Sequence, residues 1–347
     1  MIRLSPVASV RERVVYIMQC RLRSLLPINR TTPLPHLSPD ALNYGLYCDS
    51  RMLLVATPSG ISLAPEGGAH QSINTPLISM AQPGLTGYEP SYADELAVIM
   101  RWGFAHMVRT DDGAEAGDGG GGSVYLRLST RSLPQPKRTA ISASVTRIGA
   151  EGEDVAAEGD ALDILRGGRW LRGEEDGGAE ALTLTPPHEG TQLIVAHCGV
   201  VAPEAHAAVA QLIETSFNGD ATAVSHLQVT SPDLLYNGWS ARSETAHPRR
   251  GNGGGGFFVP PGEAHAETLL RDVPRDAPIV SVLDGHAASL GWLGSVFGHQ
   301  QAALGVSRFG QSGDVPDLYR TYGIDTEAIV DAATAALETQ LRQGAKK

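Results

Sequence analysis

Met52-Leu-Leu-Val-Ala-Thr-Pro-Ser-Gly60 decides the fold class. Residues 52–56 form an apolar run that reads as a buried strand, and Thr57-Pro-Ser-Gly60 closes it, because Pro and Gly punctuate regular structure. Downstream, Leu96, Ile99, Met100, Phe104, Met107 and Val108 keep helical spacing while Asp94, Glu95 and Arg101 fall elsewhere, which predicts a core-packing helix. Val124, Leu126 and Leu128 then alternate with Tyr125 and Arg127, so residues 123–130 read as a strand after the glycine-rich 113–122. Strand, helix, strand predicts an α/β layer.

Working outward, residues 140–190 mix acids, glycines and alanines around a short interruption at 164–171, the composition of a linker carrying one extra strand. A second α/β series follows, with strands at 192–196, 227–230 and 278–283 and a helix at 203–215. Pro203 suits a first helical turn, where its missing N–H costs nothing. Residues 247–256 form a glycine-rich surface loop, and helices at 314–322 and 326–341 close the chain, with Asp314 and Thr326 as caps. The expected organisation is an atypical segment 1–40, a first α/β domain 41–140, an acidic linker 141–189 and a second α/β domain 190–345.

The 347 residues suffice for two domains with their own cores. A 42% hydrophobic and 19% charged composition is that of a globular chain, and no run approaches the roughly 18 apolar residues of a membrane span. The formal charge of −11 argues against a nucleic-acid partner. Cys20, Cys48 and Cys198 lie far apart without CxxC spacing, which suggests neither a disulfide framework nor a zinc site and suits a reducing, cytoplasmic setting. The first 30 residues carry Arg3, Arg11, Arg13, Arg21, Arg23 and Arg30 against Glu12, a bias shared by mitochondrial transit peptides and by ordinary basic helices.

Leu63-Ala-Pro-Glu66-Gly67-Gly68-Ala69-His70-Gln71-Ser72 is the strongest candidate site, since it follows a buried strand and places two glycines between an acid and an imidazole. Glycines let backbone approach a ligand closely, and histidine exchanges protons near neutral pH, with a neighbouring carboxylate able to hold its tautomer. A plain turn is the alternative. Asp284-Gly-His286 reads as an acid–base pair or as a turn capping the next helix. Cys198 beside His197 reads as a thiol nucleophile or a buried inert cysteine, and Trp102 and Phe104 as core.

Residues 57–72, Thr-Pro-Ser-Gly-Ile-Ser-Leu-Ala-Pro-Glu-Gly-Gly-Ala-His-Gln-Ser, resemble the homodimer-forming pyruvate dehydrogenase E1 family. Gln82-Pro-Gly, Tyr88-Glu-Pro90, Asp94-Glu-Leu-Ala-Val-Ile-Met-Arg-Trp102 and Tyr125-Leu-Arg-Leu-Ser-Thr-Arg131 continue the resemblance in order. So do Val200-Val-Ala-Pro-Glu-Ala205, Val229-Thr-Ser-Pro-Asp233, Ala288-Ser-Leu-Gly-Trp-Leu-Gly294 and Phe309-Gly-Gln-Ser-Gly313, for a span of about 41–345.

The resemblance implies a partial pyrimidine-binding-type three-layer α/β domain followed by a transketolase C-terminal-type α/β domain. It implies oxidative decarboxylation of pyruvate with thiamine diphosphate and Mg2+, and acyl transfer to a lipoyl-bearing E2 acyltransferase. Glu66 and His70 match residues that line the pocket beside the thiamine. Gln71 and Ser72 continue the motif without a separate implied role. The family's diphosphate-binding domain has no counterpart in this sequence, so an incomplete gene model, or another chain supplying that domain, is expected. Gly117-Asp118-Gly119 lies in a glycine run without the accompanying asparagines, so Asp118 is not expected to hold metal. The cofactor-activating glutamate would precede residue 41, where Glu12 has no matching surroundings and Asn29-Arg-Thr-Thr-Pro-Leu-Pro-His-Leu-Ser-Pro39 replaces the family's aromatic and arginine block. A transketolase-like ketol transferase and a non-catalytic assembly module are the alternatives.

Overall fold

The computed structural model describes residues 5–10, 13–18, 39–48, 50–57, 59–108, 121–136, 145–147, 156–157, 159–172, 186–245 and 264–344. Two five-stranded sheets organise it. In the first, β1 (Ser5–Val10), β2 (Arg13–Met18), β3 (Arg51–Ala56), β4 (Leu85–Tyr88) and β5 (Ser123–Arg127) lie in the order β1-β2-β3-β5-β4. All neighbours are parallel except the β1–β2 pair.

Helix α1 (Pro39–Tyr47) follows β2, α2 (Pro76–Ala81) leads into β4, and α3 (Ala93–Val108) crosses from β4 to β5. Val98, Ile99 and Met107 of α3 bury against Leu53, Val124 and Leu126 on one face. Leu42 and Leu46 of α1 and Ile78 of α2 cover Leu54, Ala56 and Tyr125 on the other. The layering is helix, sheet, helix, and a strand covered on both faces must read as a continuous apolar run. Phe104, expected in this core, is 37% exposed, whereas Trp102 sits edge-on to Tyr88 and stacks on His106.

Two minor strands, β6 (Val145–Arg147) and β7 (Ala156–Ala157), pair with each other. Both lie within the expected linker, where α4 (Gly159–Arg166) buries Ala161 and Ile164 in the first core and β8 (Gly168–Trp170) forms a third strand where one is expected. Neither hangs free: β8 pairs antiparallel with the edge of the second sheet. That sheet contains β9 (Leu193–Cys198), β10 (Val224–Val229), β11 (Ile279–Leu283) and β12 (Gln301–Leu304) in the order β12-β11-β9-β10-β8, parallel apart from β8.

Helices α5 (Ala202–Ser216), α8 (Val315–Tyr322) and α9 (Thr326–Gly344) cover one face of the second sheet, and α6 (Pro232–Thr245) and α7 (His265–Leu270) the other. Every residue of β9 is buried. Ile61 and Ala64 from the first half enter the second half's core, as does Met80 of α2. The halves therefore share apolar surface.

The structure departs from expectation at two ends. Residues 5–10 and 13–18, read as leader or basic helix, are strands, in keeping with the β-branched Val14, Val15 and Ile17. The cap of α9 is Asp325, whose Oδ1 accepts from the Ala328 N–H at 3.0 Å, while Thr326 Oγ1 donates instead to the Glu204 carbonyl. Asp118 and the 247–256 loop lie outside the described residues.

Candidate functional site

The carboxyl ends of parallel strands from both sheets face one another, the place where open α/β sheets bind ligands. The Glu66–His70 loop follows β3, Glu89 follows β4, Arg127 ends β5, Gly199 follows β9, Ser231 and Asp233 follow β10, and Asp284 follows β11.

Arg127, buried inside a strand, organises this region. Its Nε donates to Thr75 Oγ1 at 2.7 Å, its Nη2 to the carbonyl oxygens of Ser72 at 3.1 Å and Asp284 at 2.6 Å, and its Nη1 pairs with Glu89. Burial is the largest influence on Glu89 and pushes its carboxyl up to about 7, against the pull of Arg127. Burial also opposes the Arg127 charge, but Glu89 and Asp284 outweigh it and hold that pKa above its ordinary value.

Asp284 turns its carboxylate away from His286. The two oxygens accept from the backbone N–H groups of Ile61 at 2.8 Å and Ser62 at 2.9 Å, with Tyr319 Oη at 3.4 Å. Those amides open the 3₁₀ turn Ile61–Glu66, so an acid from the second half caps the turn that carries Glu66. His286 Nδ1 accepts from the Ala288 N–H at 3.2 Å, and the segment is therefore a turn cap rather than an acid–base pair.

A second grip holds Gly87 in β4: its N–H donates to Asp233 Oδ2 at 2.6 Å and its carbonyl accepts from Ser231 Oγ at 2.5 Å. Burial raises the Asp233 pKa to about 8 against the Gly87 N–H and the Asn237 amide, which both donate to it. Arg131 forms a bidentate pair with Glu204 at 2.7 and 2.9 Å, joining the β5 extension to α5.

Glu66 is exposed at the end of its turn, and His70 is half-buried, its backbone N–H donating to the Gly67 carbonyl at 3.0 Å. Gln71 and Ser72 beside them are buried. The paired glycines admit a close approach from within the chain. A Cβ on Gly68 would overlap the carbonyl oxygen of Gly310, so what comes close is the 309–313 turn of this same chain.

Cys198 is fully buried and burial pushes its thiol well above the ordinary value, which removes it as a nucleophile. Its neighbour His197 hydrogen-bonds His226 at 2.9 Å through Nδ1 and Nε2, and the His206 ring lies 4.9 Å from that of His226.

Comparison with solved structures places this architecture. A transketolase mutant from Pichia stipitis superposes with a TM-score of 0.54 at 17% identity, covering 88% of this chain and 32% of that one. Transketolase from Leishmania mexicana gives 0.55 at 17% identity, with 88% and 33% covered. The fold is transketolase-like. The same Pichia enzyme in complex with sedoheptulose-7-phosphate gives 0.54 at 17% identity over 88% and 32%. The chain spans about a third of the length of these transketolases. No family model matches the sequence, and no curated protein matches it.

Among the described residues, no group of three His, Cys, Asp or Glu is placed to hold a metal ion, and no helix is long and apolar enough to cross a membrane. Sequence reasoning singled out Glu66 and His70, gave Gln71 and Glu89 no role of their own, and did not anticipate the anchoring by Arg127 and Asp284. The available signal was Arg127 itself, a charge inside a strand whose neighbours are apolar.

Proposed function

We propose that this chain is part of a thiamine-diphosphate-dependent pyruvate dehydrogenase E1 component, with His70 and Glu66 on the substrate side of the site. One observation carries the reading. The segments that resemble that family, scattered from residue 57 to 313, meet at the facing strand ends: Ser72, Glu89 and Asp284 around Arg127, Ser231 and Asp233 around Gly87, and Gln71 against Gln311. Their order along the chain and their convergence in space support one shared site.

When bound, thiamine diphosphate supplies an electron sink for the carbanion that decarboxylation leaves. Among the described residues no group of three His, Cys, Asp or Glu is placed to hold its magnesium, and on this reading the diphosphate is held by a further domain or chain while His70 and Glu66 bear on the substrate. In that role His70 Nδ1 or Nε2 holds the 2-oxo acid carboxylate or moves a proton at its carbonyl oxygen, and Glu66 sets the charge beside it. Self-association into a homodimer, and acyl transfer to a lipoyl-bearing E2 partner, belong to the same reading.

A second reading, ketol transfer, is favoured by the fold comparison, since one neighbour was solved with sedoheptulose-7-phosphate. The chain co-expressed with a diphosphate-binding domain distinguishes them. Pyruvate-dependent reduction of an artificial electron acceptor is expected. Ketol transfer from a ketose phosphate without pyruvate turnover would replace this function with the second, and neither activity would leave an assembly module.

A further inference from the structure

We propose that the 309–313 turn of the second half is a positioning clamp for the His70 loop, with Gln71 as its latch and Gly68 and Gly310 as its contact surface. The inference rests on the reading of His70 as the proton-handling group, and it adds positioning residues that the sequence motif did not assign.

The loop has two sides. Glu66 and Ala69 are exposed and His70 half-buried, whereas Gly67, Gln71 and Ser72 are buried. On the buried side Gln71 Nε2 donates to the Gln311 carbonyl at 3.0 Å, and the Gly313 N–H donates to the Ala64 carbonyl at 3.1 Å. Gln71 Oε1 is buried without a hydrogen-bond partner and lies where a Cβ on Gly310 would be. The amide cannot turn over to satisfy that oxygen, because the flipped oxygen would face the Gln311 carbonyl. The latch therefore keeps one bond and leaves one acceptor unsatisfied, an arrangement that persists only where surrounding contacts impose it.

The turn is itself braced. Tyr322 Oη donates to the Phe309 carbonyl at 2.6 Å, and Arg308 Nη2 donates to the Thr321 carbonyl at 2.9 Å while its guanidinium stacks over Tyr322. Both partners lie on α8, whose Tyr319 also reaches Asp284, the cap of the 61–66 turn. Loop, turn and α8 thus form a closed ring of contacts around the segment that presents His70. Displacing the clamp would release His70 from outside the site, without any change to the residues that face substrate.

Glycine chemistry makes this testable on the full chain. At Gly68 the obstacle is backbone, the Gly310 carbonyl oxygen and carbon, which cannot swing aside. At Gly310 it is the tip of Gln71, which can move if its bond to Gln311 breaks. Gly310→Ala should therefore reproduce Gln71→Ala, and the double variant should match either single one rather than their sum. Gly68→Ala should be the most disruptive locally.

The readouts are the His70 imidazole resonances, assigned with His70→Gln, and amide hydrogen exchange. In each clamp variant the His70 signals should shift or broaden, and amides of residues 61–72 should exchange about tenfold faster, with α9 unchanged. Unaltered His70 signals in Gln71→Ala and Gly310→Ala would overturn the clamp, as would exchange that rises equally in α9. If Gly68→Ala fails to fold, the other two variants still decide the matter. Neither readout depends on turnover, so a clamp that behaves as expected in a chain that stays without E1 activity when co-expressed with a diphosphate-binding domain would retire the functional reading and leave the positioning one standing.

Discussion

Arg127, the last residue of β5, donates through Nη2 to the main-chain carbonyl oxygen of Asp284, 157 positions later, at 2.6 Å. The same guanidinium holds Glu89, Thr75 and the Ser72 carbonyl, so one fully buried side chain joins three strand ends and the His70 loop. Replacing it with Met should destabilise the chain by about 3–5 kcal/mol, because Glu89 is left buried without its counter-charge. Lys should not rescue it: a point ammonium cannot serve four acceptors spread around a planar fork. Equilibrium urea denaturation checks both, and a loss below about 1 kcal/mol for Arg127→Met would show that the network is not the fastening its geometry implies.

Asp284→Asn tests the cap directly. One amide oxygen can still accept from Ile61 or Ser62, but the NH2 group would then oppose the other N–H. The expected cost is about 1–3 kcal/mol, with faster exchange at the Ile61 and Ser62 amides before any change in the core of β9. Uniform protection across both positions would count against the capping role.

The buried histidines set a pH dependence. Burial, then His197 and His206, hold the His226 pKa well below its ordinary 6.5. An unfolded chain therefore binds a proton at this residue that the native chain refuses, and stability falls as pH drops through about 6.5 and below. Asp233 acts with the opposite sign: its native pKa, raised to about 8, contributes stability at low pH that is lost as pH rises through that value. Comparing wild type with His226→Leu cancels the Asp233 contribution. The wild-type slope between pH 6.5 and 5 should be steeper by up to about 1.4 kcal/mol per pH unit, and parallel curves would refute the assignment.

Much of the fold was legible because parallel strands covered on both faces read as apolar runs: residues 52–56 and 192–196 anticipated β3 and β9 almost to the residue. Helices α3 and α5 carried a single buried stripe. Helix α6 was missed because it has none: Leu234 packs into the first core and the adjacent Leu235 into the second, so no amphipathic period survives. Strand β12 escaped as a half-exposed edge of Gln, two Ala and Leu. At the site, local sequence marked the Glu66–His70 loop, but the anchoring by Arg127 and Asp284 depends on contacts across 157 and 223 positions, which no local pattern records.

The last prediction tests the proposed E1 reading at His70, in the chain co-expressed with a diphosphate-binding domain. His70→Ala should slow decarboxylation by about 10²–10⁴, the usual cost of removing a positioned proton-transfer group. Affinity for thiamine diphosphate should stay nearly unchanged on this reading, since the backbone of the His70 loop is held through Gln71, Ser72 and Asp284 and those anchors remain in the variant. Glu66→Gln should be gentler, because Glu66 is exposed at the turn's end and, on the proposed reading, acts on the same step only through His70. The double variant should then lose less than the sum of the single losses. Full turnover in His70→Ala would remove the histidine from the mechanism. A parallel loss of cofactor affinity would mean that the loop holds the cofactor rather than the substrate, and a loss in Gln71→Ala alone would place the chemistry in the clamp.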